Sequence, residues 1–240
     1  MFPLERTHRK RERPGPVGRA ALSSAPVTNR PVVANHSAHA VFPLSLLEAM
    51  RSLDRPVEDG VDATNHETRT QRLGLSSTVA SQIERYQGLA RRDARVPFDE
   101  VASVFRLVDR RADADLVLAD AGRRAARHAA RSAGLSFRVL SRATPQVVRS
   151  WVGSRGAAKL SRRVFGARLT IGAGRAEAEM AADASPALGF GGRACTFYGA
   201  ALHELLRFLT GFEGALVHDN CCGRGDPACR WRSLAAEETT

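Results

Sequence analysis

All four cysteines of this 240-residue chain fall within 35 positions near its end. Cys195 opens an apolar run, and Cys221, Cys222 and Cys229 follow in the stretch Val217-His218-Asp219-Asn220-Cys221-Cys222-Gly223-Arg224-Gly225-Asp226-Pro227-Ala228-Cys229-Arg230-Trp231. Thiolate and imidazole are ligands that zinc prefers, and a structural zinc closes a tetrahedron with four protein donors. Cys195, His218, Cys221 and Cys229 supply such a set. The two glycines and one proline between Cys221 and Cys229 let the backbone wrap tightly around an ion. Cys195 is brought back by a helix: Phe197, Ala201, Leu205 and Phe208 or Leu209 recur at helical spacing, Gly211 ends the run, and Gly214 to Asp219 returns as a strand.

Alternatives stay open at this stage. Two disulfides would use the same cysteines, although adjacent Cys221 and Cys222 suit that poorly and nothing points to secretion. Free buried thiols are the other option. Asp219, Cys222 and His203 compete with His218 for the fourth ligand position. A closed four-ligand site is structural, because no position is left for water or substrate.

The spacing from Cys195 through His218 to Cys221 and Cys229, with its CxGxGxxxCxW run ending at Trp231, resembles the carboxy-terminal signature of the 4-vinyl-reductase-like ligand-binding domains. These domains occur in bacteriochlorophyll biosynthesis accessory proteins, in stand-alone hydrocarbon-binding proteins and in sensors of aromatic-responsive transcription activators. In the zinc-bearing sensors the ligands are a cysteine before a helix, a glutamate, and two cysteines across a glycine loop. The offsets agree, with His218 standing where the family usually has glutamate. The resemblance implies an α+β domain, a small hydrophobic or aromatic ligand, a structural Zn2+ and a homodimer formed through amino-terminal helices. The aromatic sensors use a histidine and a tryptophan on their ligand; no local motif assigns them here, and His128 and Trp151 are carried as candidates.

The rest of the chain is read from its periodicity. Residues 1–40 lack any period, are rich in Arg, Pro, Ser and Ala, and are expected to be a disordered basic tail. A single ligand-binding domain is expected over 41–240, with an amino-terminal helical extension over 41–76 that starts with an amphipathic helix from Phe42 to Leu53. Helices follow at Ser77 to Arg92, along the stripe Phe98, Val101, Phe105 and Val108, and from Ala114 to Ala133. On the last, Leu118, Ala121, Ala125 and Ala129 make a small-residue face opposite Arg123, Arg127 and Arg131. The period then changes. Leu135 to Val139 alternates as a strand, Thr144-Pro145 starts a helix carrying Val148, Trp151 and Val152, and Ala167–Ile171, Arg175–Ala181 and Ala228–Leu234 are further strands. The fold class is therefore α+β, with amino-terminal helices packed on an antiparallel sheet and a zinc-stapled carboxy-terminal segment.

The 43% apolar content suffices for a core. No stretch of about 18 apolar residues would span a membrane, and no apolar segment follows the basic start as in a secretory signal, so a cytoplasmic location is expected. Charge is uneven: residues 122–175 hold thirteen Arg or Lys and no acid. Such a segment attracts phosphates or acidic partners. The near-absence of lysine beside 34 arginines is equally what a GC-rich genome produces, and no aromatic-interleaved basic run favours nucleic acid. No GxSxG, HExxH, phosphate-cradling loop or dinucleotide fingerprint is present, so catalysis is not the leading expectation. That expectation is a binding or sensor domain whose apolar pocket is lined by Phe105, His128, Phe137, Trp151, Phe165, Phe197 and Tyr198. An accessory role in reducing a chlorophyllide vinyl group, and a basic nucleic-acid-binding protein with a structural zinc, are the alternatives.

Overall fold

Strict alternation makes the sheet. In the computed structural model, which describes residues 37–55, 73–132, 146–172, 175–181 and 192–234, Ala176, Ala178 and Met180 point inward while Glu177 and Glu179 face out. This strand, β4 (Arg175–Ala181), pairs on one side with β3 (Arg168–Gly172) and on the other with β6 (Ala228–Leu234). Strand β5 (Ala215–Asn220) completes an antiparallel sheet of order β3-β4-β6-β5. A separate ribbon pairs β1 (Ser37–His39) with β2 (Arg95–Pro97).

Six helices complete the described residues: α1 (Val41–Leu53), α2 (Ser77–Arg91), α3 (Phe98–Asp109), α4 (Ala114–Ser132), α5 (Gln146–Leu160) and α6 (Ala194–Thr210). Ser76 caps α2, its hydroxyl accepting from the Val79 amide at 3.2 Å. A short π-helical turn (Ser161–Phe165) ends at Gly166 and feeds β3. The fold is α+β, as the change of period from helical to alternating predicts.

The small-residue face of α4 is buried as expected, at Leu118, Ala121, Ala125 and Ala129. Its use is closer than the alanines alone imply. A Cβ at Gly122 would stand 2.2 Å from the Phe197 carbonyl oxygen and 3.0 Å from the Ala200 Cβ, so only glycine lets α4 lie this near α6. Helix α5 packs on α6 from another direction and reaches β3.

Two expectations are corrected. The ordered chain begins before residue 41: Ser37–His39 is hydrogen-bonded to Arg95–Pro97, and Ala40 is fully buried. Residues 1–36 lie outside the described set. Helix α1 is amphipathic as expected, but it is a central element rather than an extension, with nine of its thirteen residues buried, from Val41 through Leu47 plus Ala49 and Met50. Its one buried hydroxyl is satisfied locally, since Ser45 Oγ donates to the Val41 carbonyl at 2.7 Å and contacts the Phe42 carbonyl at 3.0 Å. The predicted strand Leu135–Val139 lies outside the described residues.

Two buried carboxylates tie the helices together. Asp54, at the end of α1, accepts two hydrogen bonds from Arg111 at 2.7 and 3.1 Å and one from the Gly74 amide at 2.8 Å. Glu204 of α6 is paired with Arg127 of α4 at 2.7 Å and with Arg207 at 3.1 Å. Among the described residues no helix is long and apolar enough to cross a membrane.

Candidate metal centre and the predicted ligand-lining residues

Three elements deliver four donors to one point. Cys195 lies in the first turn of α6, Cys221 directly follows β5, and Cys229 is the second residue of β6. Inward residues of a strand recur every second position, so Cys229 and Trp231 share the buried face while Arg230 and Arg232 are exposed. His218 is the cross-strand partner of Trp231, and the two rings stack at 4.7 Å with planes 17° apart. Alternation along β5 puts Asp219 on the face opposite His218, where its carboxylate meets Arg232 at 2.5 Å, and the pairing with β6 shifts register between His218 and Asn220.

The loop after β5 is a tight knuckle. Asp226 Oδ2 accepts from the Cys221 amide at 2.7 Å, and the Arg224 and Asp226 amides donate to the Cys221 carbonyl at 2.8 and 3.2 Å. The Cys222 amide donates to Cys229 Sγ at 3.3 Å. Gly192 seals the other side: its φ is +91°, and a Cβ there would approach Cys221 Sγ to 3.1 Å.

The ligand atoms of Cys195, His218, Cys221 and Cys229 all lie within 4.8 Å of one another and could hold a metal ion. Cys195 Sγ stands 3.7 Å from Cys221 Sγ and 3.6 Å from Cys229 Sγ. These separations are far beyond the roughly 2.05 Å of a disulfide, and all four thiols are free. His218 Nε2 is the one buried side-chain nitrogen or oxygen without a hydrogen-bond partner among the described residues. A buried imidazole nitrogen left unpaired is costly unless a further partner is bound there. Burial, then the nearby Arg224, holds the His218 imidazole below its ordinary range, in the neutral form that offers a lone pair. Burial, then Cys229 and Cys221, pushes the Cys195 thiol well up. A cation at this point would displace thiol protons, so its uptake would rise with pH.

The competing fourth ligands are otherwise engaged. His203 Nε2 bonds the Gly214 carbonyl at 3.0 Å, Asp219 pairs with Arg232, and Cys222 contributes its backbone amide to the site.

The described residues among those expected to line a ligand pocket separate into three groups. Phe105, Phe165, Phe197 and Tyr198 are core. Phe42, a ring that sequence reading did not single out, stacks on Phe197 at 5.2 Å and meets Phe165 at 5.8 Å and Tyr198 at 5.9 Å, while Phe105 meets Phe197 at 5.6 Å. The apolar run from Val41 to Leu47 was the signal available for it. These rings fill the interior against one another rather than lining a described cleft. Trp151 is 56% exposed, with the Arg155 guanidinium 3.8 Å above its ring. His128 does line a cleft, and its Nε2 is 2.8 Å from the Glu48 carboxylate. Phe137 lies outside the described residues.

Comparison with protein-family models, with curated proteins and with solved structures finds no match to this chain.

Proposed function

We propose that Cys195, His218, Cys221 and Cys229 hold a structural Zn2+ and that the domain it closes is a non-catalytic binding or sensor module for a small, largely apolar molecule. The observation that carries the zinc reading is the convergence of three sulfurs with a buried, partnerless Nε2. With Zn–S bonds of about 2.3 Å, two sulfurs on a tetrahedral zinc stand about 3.8 Å apart. The separations of 3.6 and 3.7 Å around Cys195 fit that edge length. Soft thiolates joined by one imidazole suit zinc better than the hard oxygen-seeking cations. Four protein donors complete the shell, so the ion would brace α6 against β5 and β6 and leave substrate chemistry no open position.

The small-molecule role rests on the resemblance to 4-vinyl-reductase-like domains through the Cys195, His218, Cys221 and Cys229 offsets and the glycine loop. The α+β architecture is the one that resemblance implies. Native mass spectrometry of the purified full chain tests both parts. One zinc per chain and a retained small molecule are expected, and the same spectrum reads the homodimer that the resemblance implies. Metal-free protein with full thermal stability would sink the zinc reading. Zinc-loaded protein that neither retains nor takes up any small molecule would sink the binding role.

A further inference from the structure

Three arginines of the basic segment line a cleft. Arg124, Arg127 and Arg131 project at helical spacing from α4 toward Arg51 at the end of α1 and Arg55 just beyond it, around an open cavity of about 360 Å³. Two of these guanidiniums are neutralised, Arg124 by Asp120 at 2.6 Å and Arg127 by Glu204 at 2.7 Å. Arg51, Arg55 and Arg131 have no ionic partner among the described residues. The one acid in the cleft wall is already engaged, since Glu48 meets His128 at 2.8 Å and accepts from Gln87 at 3.3 Å. Burial, the largest single influence, pushes the Glu48 carboxyl up, but His128, Gln87 and Arg124 together outweigh it and hold the group below its ordinary value. Three uncompensated guanidiniums around one concavity repel one another unless an anion sits between them.

A second cavity, of about 400 Å³, adjoins the first and shares Gln87, His128 and Arg131 with it. Its wall adds an apolar strip, formed by Val41, Leu44, Ala90 and Ala129, beside the polar His39, Arg91 and Ser132. Guanidinium forks match the planar oxygens of carboxylates and phosphates, and an apolar strip beside them removes hydrocarbon from water.

We infer that the adjoining clefts form one binding site for an amphiphilic organic anion, its oxyanion head among Arg51, Arg55 and Arg131 and its apolar body along Val41, Leu44, Ala90 and Ala129. This rests on the binding-module reading above, and it gives that module's ligand a chemical class and a place outside the aromatic core.

Calorimetric titration of the full-length protein with octanoate, octyl phosphate, octanol and inorganic phosphate tests it, with zinc content measured on the same samples. Octanoate or octyl phosphate should bind at least about tenfold more tightly than octanol, because the head makes charge-assisted hydrogen bonds. Whichever of the two binds more tightly identifies the head group. Inorganic phosphate should bind more weakly than octyl phosphate, and equal affinities would remove the apolar strip from the site. Arg131→Gln, and independently Arg51→Gln, should each weaken octanoate about tenfold while leaving octanol and the circular dichroism spectrum unchanged. Octanol binding as well as octanoate, or both arginine variants binding octanoate like the parent, would overturn the inference. Zinc-loaded protein blind to octanoate and octyl phosphate sinks this site alone, whereas zinc-free folded protein sinks the reading it rests on.

Discussion

Cys195 and Phe197 are two positions apart on α6, and their side chains are held in place by opposite means. Phe197 is wholly enclosed by Phe42, Phe105 and Tyr198, so its order comes from apolar surface removed from water and from close packing. Cys195 joins three other donors, including a nitrogen that nothing among the described residues satisfies, so under the zinc reading its order comes from an occupant. One end of the helix would fold by exclusion and the other by coordination. Such a helix transmits the state of the ion site directly into the core, because Phe197 and Tyr198 follow Cys195 within one turn.

The largest expected effect is on the coordinated end. Structural zinc sites in small domains bind with an apparent free energy of about 10–16 kcal/mol. Chelation, or Cys229→Ser, should therefore abolish zinc content and open β5, β6 and the first turn of α6 to rapid amide exchange, with α1 and α4 still protected. If α1 and α4 lose protection in the same step, the two regions are one cooperative unit and the contrast between them fails.

The next effect belongs to the aromatic end. Phe197→Ala should cost about 3–5 kcal/mol in urea denaturation, the usual range for emptying a buried aromatic site. Zinc content should stay at that of the parent. Loss of zinc in this variant would show that the core sets the geometry of the ion site.

A smaller effect concerns Glu204, which lies beyond Phe197 on α6 and ties that helix to α4. Burial pushes its carboxyl up, but Arg207 and then Arg127 outweigh that and hold it below the ordinary glutamate value. A depressed folded value means the pairing stabilises the protein above the unfolded value of about 4.3 and is lost as pH falls through the folded one. Arg127→Gln should cost about 1–3 kcal/mol at neutral pH, and that cost should shrink as the pH is lowered through the same window. A pH-independent cost would mean the contribution of Arg127 is packing rather than charge.

Trp151→Ala marks the floor of the scale. With an exposed ring held only by Arg155, it should change stability by no more than about 0.5 kcal/mol and leave zinc content alone.

The same contrast explains what could be read from the sequence. Metal donors announce themselves by residue type and spacing, so Cys195, Cys221 and Cys229 were legible as a set. His218 was named with them, while Asp219 stayed open because two adjacent polar residues in a strand do not say which one faces inward; the structure gives that face to His218 and turns Asp219 to Arg232. Strands β3, β4 and β6 and helices α2, α3 and α4 were visible because one face of each is polar. Helix α1 was legible as an amphipathic helix, but periodicity shows only that one face is apolar and does not say how many neighbours will cover it, so its central place was missed. Phe105, Phe165, Phe197 and Tyr198 are interior and Trp151 is exposed, and residue type distinguishes neither an exposed ring from a buried one nor a ring that lines a space from one that fills it. Phe42 decides that question from the far end of the chain.

That ring has a temporal consequence. Phe42 belongs to the first helix, yet its stacking partner Phe197 is 155 positions later. A ribosome making this polypeptide has therefore released most of it before the nucleus can shut. Until then α1 needs shelter, and the late arrival of α6 sets when the newborn protein can stand alone.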